Sequence, residues 1–136
     1  MTASTAERGY GATLAKGATA IAEITDYSDV GISRSDVEIT SHDSDSSANE
    51  YLPGLREGSE ITITGNYIYN DTGQNAAITD FSDGSLDEYT ITFPNAAAST
   101  FVFYAYIKSY KIKSDLKGAL KITLVLKISG LPVFTV

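Results

Sequence analysis

The sequence contains no cysteine, so neither a disulfide framework nor a thiolate metal site is available and the fold is held without covalent staples. It contains one histidine, His42, around which any Ser-His-Asp relay would have to be built. No run approaches the roughly 20 consecutive apolar residues of a membrane-spanning helix. The opening stretch MTASTAERGYGATLAKG lacks a charged-then-apolar leader pattern, so neither a secretory peptide nor a membrane partner is expected, and synthesis in a cytoplasm is. The signatures GxxxxGK[ST], GxGxxG, HExxH and GxSxG are all missing. Residues 61–100 hold five acidic side chains and no basic one, and nowhere do basic residues interleave with aromatics in a way that would grip a nucleic acid.

What is present is ordinary globular material. At 136 residues, 43% hydrophobic and 20% charged, the chain suits one domain able to bury roughly two-thirds of the surface its unfolded form exposes. Charge is unevenly spread. Residues 1–60 hold four basic and eleven acidic side chains, whereas residues 101–136 hold six lysines against Asp115 alone. An acidic front and a basic back are candidate complementary surfaces of neighbouring copies; lysines that blunt the solvent faces of exposed strands are the plainer reading.

The hydrophobic period is that of strands. Leu120, Ile122, Leu124, Leu126 and Ile128 alternate with Lys121, Thr123, Val125 and Lys127, the signature of a strand with one buried face. Ile61, Ile63, Tyr67 and Tyr69 share one parity across residues 60–69, and Tyr89, Ile91 and Phe93 do the same before Pro94. Phe101, Phe103, Ala105 and Ile107 share a parity that Tyr110 and Ile112 break, which predicts a bulge near Lys108 and Ser109. Shorter strands are expected at residues 19–25 and 36–40. One segment departs from this pattern: Asp71 can cap a helix over residues 71–83, with Gln74 three residues on, Ala77, Ile78 and Phe81 facing a core, and Gly84 ending it. The expected fold is therefore mainly β, an antiparallel sandwich or barrel with one flanking helix. A mobile Gly/Ala/Ser/Thr-rich arm is expected over residues 1–17 and a single domain over 18–136, with a long polar loop at 41–58.

Few residues invite chemistry. Ser41, Asp43, Ser44 and Asp45 flank His42, but catalytic triads are assembled across a fold, and a serine-rich loop reads as solvated surface. Asp43, Asp45, Asn49 and Glu50 offer hard oxygen ligands; Ala48 stands where the turn glycine of a calcium loop belongs and Gly54 where its bidentate glutamate belongs. Asp87 and Glu88 read as the polar start of a strand. No catalytic residue, cofactor or metal site is expected, and no enzyme. Tyr104, Tyr106 and Tyr110 are candidates for a sugar-stacking platform, although aromatic strand residues more often pack.

Two stretches carry a family resemblance. The run VGISRSDVEITSHDSDSSANEYLPGLREGSEITITGNYIYN, residues 30–70, combines a short strand ending in Thr-Ser-His-Asp-Ser, a polar loop, Pro-Gly-Leu followed by a polar residue and Gly, and a second strand. The run GALKITLVLKISGLPVF, residues 118–134, is a closing strand with a Ser-Gly-Leu-Pro ending. Together they resemble the major tail tube protein of bacteriophages with long non-contractile tails. The resemblance implies a virion structural protein: a β-sandwich with a flanking helix, six copies closing into a ring, and rings stacking into a hollow tail tube that passes DNA. It further implies tape-measure, tail-terminator and tail-tip partners. Loop 41–58 would then reach the neighbouring ring, with Tyr51, Leu52, Pro53, Leu55 and Arg56 as contacts. The ring-forming tubes of contractile tails and type VI secretion resemble the same pattern, and a monomeric carbohydrate-binding sandwich is the reading from a different class.

Overall fold

A computed structural model of the chain describes Ser4, Ala6, Glu7 and residues 9–114 and 116–136. Ten strands and one helix follow in order: β1 (Thr13–Lys16), β2 (Thr19–Ile21), β3 (Ile24–Tyr27), β4 (Ile32–Glu38), β5 (Tyr51–Gly58), β6 (Ile61–Asn66), α1 (Thr72–Asp83), β7 (Asp87–Thr92), β8 (Thr100–Lys113), β9 (Lys121–Ile128) and β10 (Val133–Thr135). All but two strands form a single antiparallel sheet in the order β2-β1-β7-β8-β9-β6-β3, with β10 added to β8.

Strand β8 is the spine of that sheet. Its first half pairs with β7, from Thr100 to Ala105, and its second half pairs with β9. The register slips between Ile107 and Ser109, where the change of parity in the sequence predicts a bulge. Beyond the slip Tyr110 stands opposite Leu124 and Ile112 opposite Ile122. The two ends of the strand path, β2 and β3, are joined in sequence by Ala22 and Glu23 alone. The sheet therefore curls until its ends meet at a corner, and its inner face closes over Leu14, Ile61, Ile63, Tyr89, Ile91, Phe103, Leu124 and Leu126, all of them buried. This is the expected sandwich-barrel.

Helix α1 begins and ends as the sequence predicts. The Asp71 carboxylate accepts from the Gln74 backbone N–H at 2.9 Å, and Gly84 closes the last turn in the left-handed region at φ 67°, its N–H donating to Asp80. The buried face is rotated from the expected one. Gly73, Gln74, Ala77 and Asp80 are inside, Ile78 is only partly buried, and Phe81 is 41% exposed with its ring edge-on to Tyr110. Counting apolar residues alone missed two polar side chains that the fold satisfies internally. Gln74 Nε2 donates to the carbonyls of Ala22 and Asn66, and its Oε1 accepts from the Ile68 N–H. Asp80 accepts from Lys16 Nζ at 2.7 Å and from the Tyr89 hydroxyl at 2.8 Å. Gly73 is required by the same contact, since a Cβ there would run into the Ala20 carbonyl.

Several boundaries differ from the sequence reading: the strand expected at 19–25 is broken at Ala22 and Glu23 into β2 and β3, and the one expected at 36–40 runs over Ile32–Glu38. The expected arm over 1–17 contains β1: Leu14 is 1% exposed and Lys16 bridges Asp80 and Asp87, so deleting residues 1–17 would take out a core strand. Residues 1–3, 5 and 8 of that arm lie outside the described residues. Strand 60–69 stops at Asn66; one further bond, from the Tyr67 N–H to the Leu120 carbonyl, follows it, and Tyr69 is exposed. The polar loop 41–58 is half strand, its second part being β5.

Gln74 gives the first prediction. Gln74→Glu keeps the shape but removes the two Nε2–H donors, leaving the Ala22 and Asn66 carbonyls without them; a loss of roughly 3 kcal/mol, or about 10 °C in Tm, is expected by thermal melting. An unchanged Tm would show that Gln74 does not hold the corner. The second concerns alkaline pH. Burial and the hydrogen bond to Asp80 push the Tyr89 hydroxyl above its ordinary 10.0, and the hydrogen bond to Asp80 raises Lys16 above its ordinary 10.5. Both groups hold their protons more tightly folded than unfolded, so their contribution is complete below those ordinary values and is lost as pH climbs beyond them. Tyr89→Phe should lower Tm at neutral pH, at a cost of about 1–3 kcal/mol, and flatten the decline of Tm above about pH 10. A decline as steep as in the unsubstituted chain would remove Tyr89 from the account.

Candidate assembly surface

The two strands outside the main sheet form a ribbon of their own. Strands β4 and β5 pair from Ile32↔Gly58 to Glu38↔Tyr51, and every residue of β4 is exposed. The ribbon touches the core at its foot: the Ser59 N–H donates to the Gly31 carbonyl, the Gly31 N–H to Ser59 Oγ, and Gly58 lies against Ile128. An isolated two-stranded ribbon is marginal in water, and this one leaves Val37, Tyr51, Leu52 and Leu55 in solvent.

Its register distributes the five expected contact residues. Tyr51 and Pro53 stand opposite Glu38 and Asp36, Arg56 opposite Arg34, and Leu52 opposite Val37. By strand alternation, Tyr51, Pro53 and Arg56 share one face, while Leu52 and Val37 share the other. Between Pro53 and Arg56 the ladder slips. Leu55, in that bulge, is 87% exposed. The five therefore lie on one strand but on both of its faces.

Arg34 and Arg56 face each other with no carboxylate between them; Arg34 donates to the Gly54 carbonyl instead. Like charges directly opposite are unfavourable in a ladder. Beyond Glu38 the chain turns through 39–50. The Ile39 N–H donates to the Glu50 carbonyl, the Glu50 N–H to Thr40 Oγ1, and Ser44 Oγ to the Glu50 carboxylate. His42 sits exposed at this tip, and Ser41 and Ser44 bond to the loop itself rather than to it. Among the described residues no group of three or more His, Cys, Asp or Glu side chains is placed to hold a metal ion.

Further exposed apolar residues lie elsewhere. Leu131, Val133 and Phe134 on and before β10 are about half exposed. Phe134 borders a cleft of about 870 Å³, lined also by Tyr10, Tyr27, Phe93 and Pro94. Tyr27 donates its hydroxyl to the Ala12 carbonyl across this cleft, and burial raises its pKa to about 12. The turn between β8 and β9 carries Leu116, 99% exposed. The tyrosine platform does not form: Tyr104 and Tyr106 face solvent on one side of β8, and Tyr110, beyond the bulge, packs on Phe81.

Sequence reasoning missed Val37, Ile39, Leu116 and the β10 residues as exposed apolar positions, and missed β5 as a strand. Pro53 and Gly54 read as strand breakers, but they stand beside the bulge, where a strand tolerates them.

A family profile described as "Lambda phage tail tube protein, TTP" matches residues 5–135. Among solved structures, a chain of the virion of the native gene transfer agent particle is 22% identical with a TM-score of 0.80, covering 96% of this chain and 100% of that one. The tail of the empty particle, refined with C6 symmetry, matches over the same shares at 22% identity and 0.78. A chain of the sheath/tube terminator of an extracellular contractile injection system, PVC, in its extended state is 15% identical at 0.77, over 99% and 100%. The SPP1 tail tube is 17% identical at 0.65, over 90% of this chain and 74% of that one. No curated protein sequence matches the chain significantly. The profile spans nearly its whole length, and the fold is shared with chains of these tails: the chain belongs to the lambda phage tail tube protein family and is a structural protein of the virion tail.

Proposed function

We propose that copies of this chain close into six-membered rings that stack into the hollow tube through which phage DNA is delivered. The observation that carries this reading is the β4–β5 ribbon, exposed on both faces and tied to its own domain at the foot alone. A segment like that is useful only against another molecule, and a tail tube supplies identical molecules in a fixed geometry. The C6 symmetry of the gene transfer agent tail supports the ring size.

In this reading Tyr51, Leu52, Pro53, Leu55 and Arg56 contact the adjacent ring, and because they occupy both faces the ribbon inserts between neighbours rather than lying flat on one. Open sheet edges, which otherwise invite unlimited pairing, are consumed by ring closure. Obligate interfaces of this kind bury more than about 2,000 Å². A tape-measure protein sets the length on which the tube grows, and terminator and tip proteins occupy its two ends. DNA passes without specific binding. Lysine or arginine contacts to phosphate would each add salt-dependent grip, so acidic and neutral side chains are expected to line the lumen of a chain with a net charge of −7.

Negative-stain electron microscopy of the purified protein over rising concentration, with a tail-tip nucleus added if needed, should show rings or tubes with a lumen of roughly 20 Å or more, the width a duplex requires. Persistent monomer with that nucleus present would overturn the reading. Leu52→Asp with Leu55→Asp should change folding stability by no more than about 0.5 kcal/mol, since both side chains are exposed, and should abolish or shorten tubes. Normal tubes from this double variant would remove the ribbon from the ring contact.

A further inference from the structure

The ribbon and the lysine-bearing turn stand at opposite ends of the domain. Strands β6 and β9 run antiparallel from Ile61↔Leu126 to Asn66↔Lys121. The ribbon leaves at the first of these ends, where Gly58 meets Ile128. The β8–β9 turn lies at the second, where the Tyr67 N–H donates to the Leu120 carbonyl. The separation along the ladder is roughly 20 Å at 3.4 Å per residue.

The two ends differ in charge. Residues 31–58 carry six acidic side chains against Arg34 and Arg56, one of the six, Glu57, being held by Lys127. The end of β8 and the turn that follows carry Lys111, Lys113 and Lys117 against Asp115 in sequence; the three lysines are exposed, and none of them forms an ion pair among the described residues. The remaining lysines are engaged: Lys16 with Asp80 and Asp87, Lys108 with Glu60, Lys127 with Glu57, and Lys121 with the Asn66 amide. Free positive charge is thus gathered at one end and acid at the other. Each end also presents apolar groups, Val37 and Leu52 on the ribbon, Ile112 and Leu116 by the turn.

We propose that the ribbon of one copy docks, acid to base, against the β8–β9 turn of the next copy along the tube axis, so that rings stack with a single polarity. This rests on the tube reading above. A surface that meets a different surface at the opposite end of an identical molecule is a heterologous contact, and such contacts propagate without closing. Complementary charge sets the direction, because the inverted arrangement brings like charges together.

Two charge-reversed chains test it. One carries Glu38→Lys, Asp43→Lys and Asp45→Lys; the other carries Lys111→Glu, Lys113→Glu and Lys117→Glu. All six positions are exposed, and unchanged circular dichroism and Tm would certify the fold. Each chain alone should self-associate at least about tenfold more weakly than the unsubstituted protein by sedimentation. An equimolar mixture should recover association, as should one chain carrying all six changes, and association in the mixture should weaken between about 50 and 500 mM salt. Undiminished association of either variant alone, or no recovery on mixing two folded variants, would overturn the proposal. So would a lysine variant that forms normal tubes but loses binding of a DNA duplex, because the turn would then serve nucleic acid. Recovery on mixing needs only pairwise association, so it succeeds or fails independently of whether rings close.

Discussion

The structure depends on one buried polar junction. A sheet that curls until β2 meets β3 has to turn a corner within Ala22 and Glu23, and a corner that tight leaves peptide groups without ladder partners. Gln74 and Asp71 supply them. The Gln74 amide takes the carbonyls of Ala22 and Asn66 and the N–H of Ile68, and the Asp71 carboxylate takes the Ala22 N–H while capping the helix. Each of these groups, buried and unpaired, would cost on the order of 1–3 kcal/mol. One turn of helix thus stabilises the helix start, the sheet corner and the end of β6 together, which is why a single short helix suffices in a protein of strands. Asp80, two turns along, does the same for β1 and β7 through Lys16 and Tyr89.

The ribbon stands apart from that junction and meets the core at its foot. Its strands are exposed, its arginines face one another, and its bulge pushes Leu55 outward. None of these features favours the isolated chain. If the ribbon docks as proposed, fixing its exposed side chains there has an entropic cost, which would delay growth until a nucleus supplies enough simultaneous contacts.

Much of this was legible in the sequence wherever one face of an element is dry. The β9 alternation, the bulge after Ile107 and both caps of α1 follow from residues whose roles are local, and the Pro-Gly-Leu and Ser-Gly-Leu-Pro runs pointed to the family. The inward face of α1 was not legible, because Gln74 and Asp80 are buried by partners 52 and 64 residues distant, and no periodicity reports a hydrogen bond. Strand β1 was hidden in a small-residue stretch, where Leu14 and Lys16 are its only strong anchors. Strand β5 was hidden for the opposite reason: with both faces wet, it has no alternation to read, and its proline and glycine sit beside a bulge that a single sequence does not announce.

Net charge constrains assembly from the other side. A chain at −7 repels its copies at long range, by an amount that falls with salt over a Debye length of about 8–10 Å. Were its positive charge evenly spread, added salt would simply promote association of every kind. Three of its lysines are instead neutralised by carboxylates inside the domain, on Asp80 and Asp87, Glu60 and Glu57, and the lysines without such partners gather at one turn. General repulsion and local attraction then act on different geometries. Random encounters are disfavoured and the end-to-end one is not, so a subunit kept soluble by its acidity still has one direction in which to add.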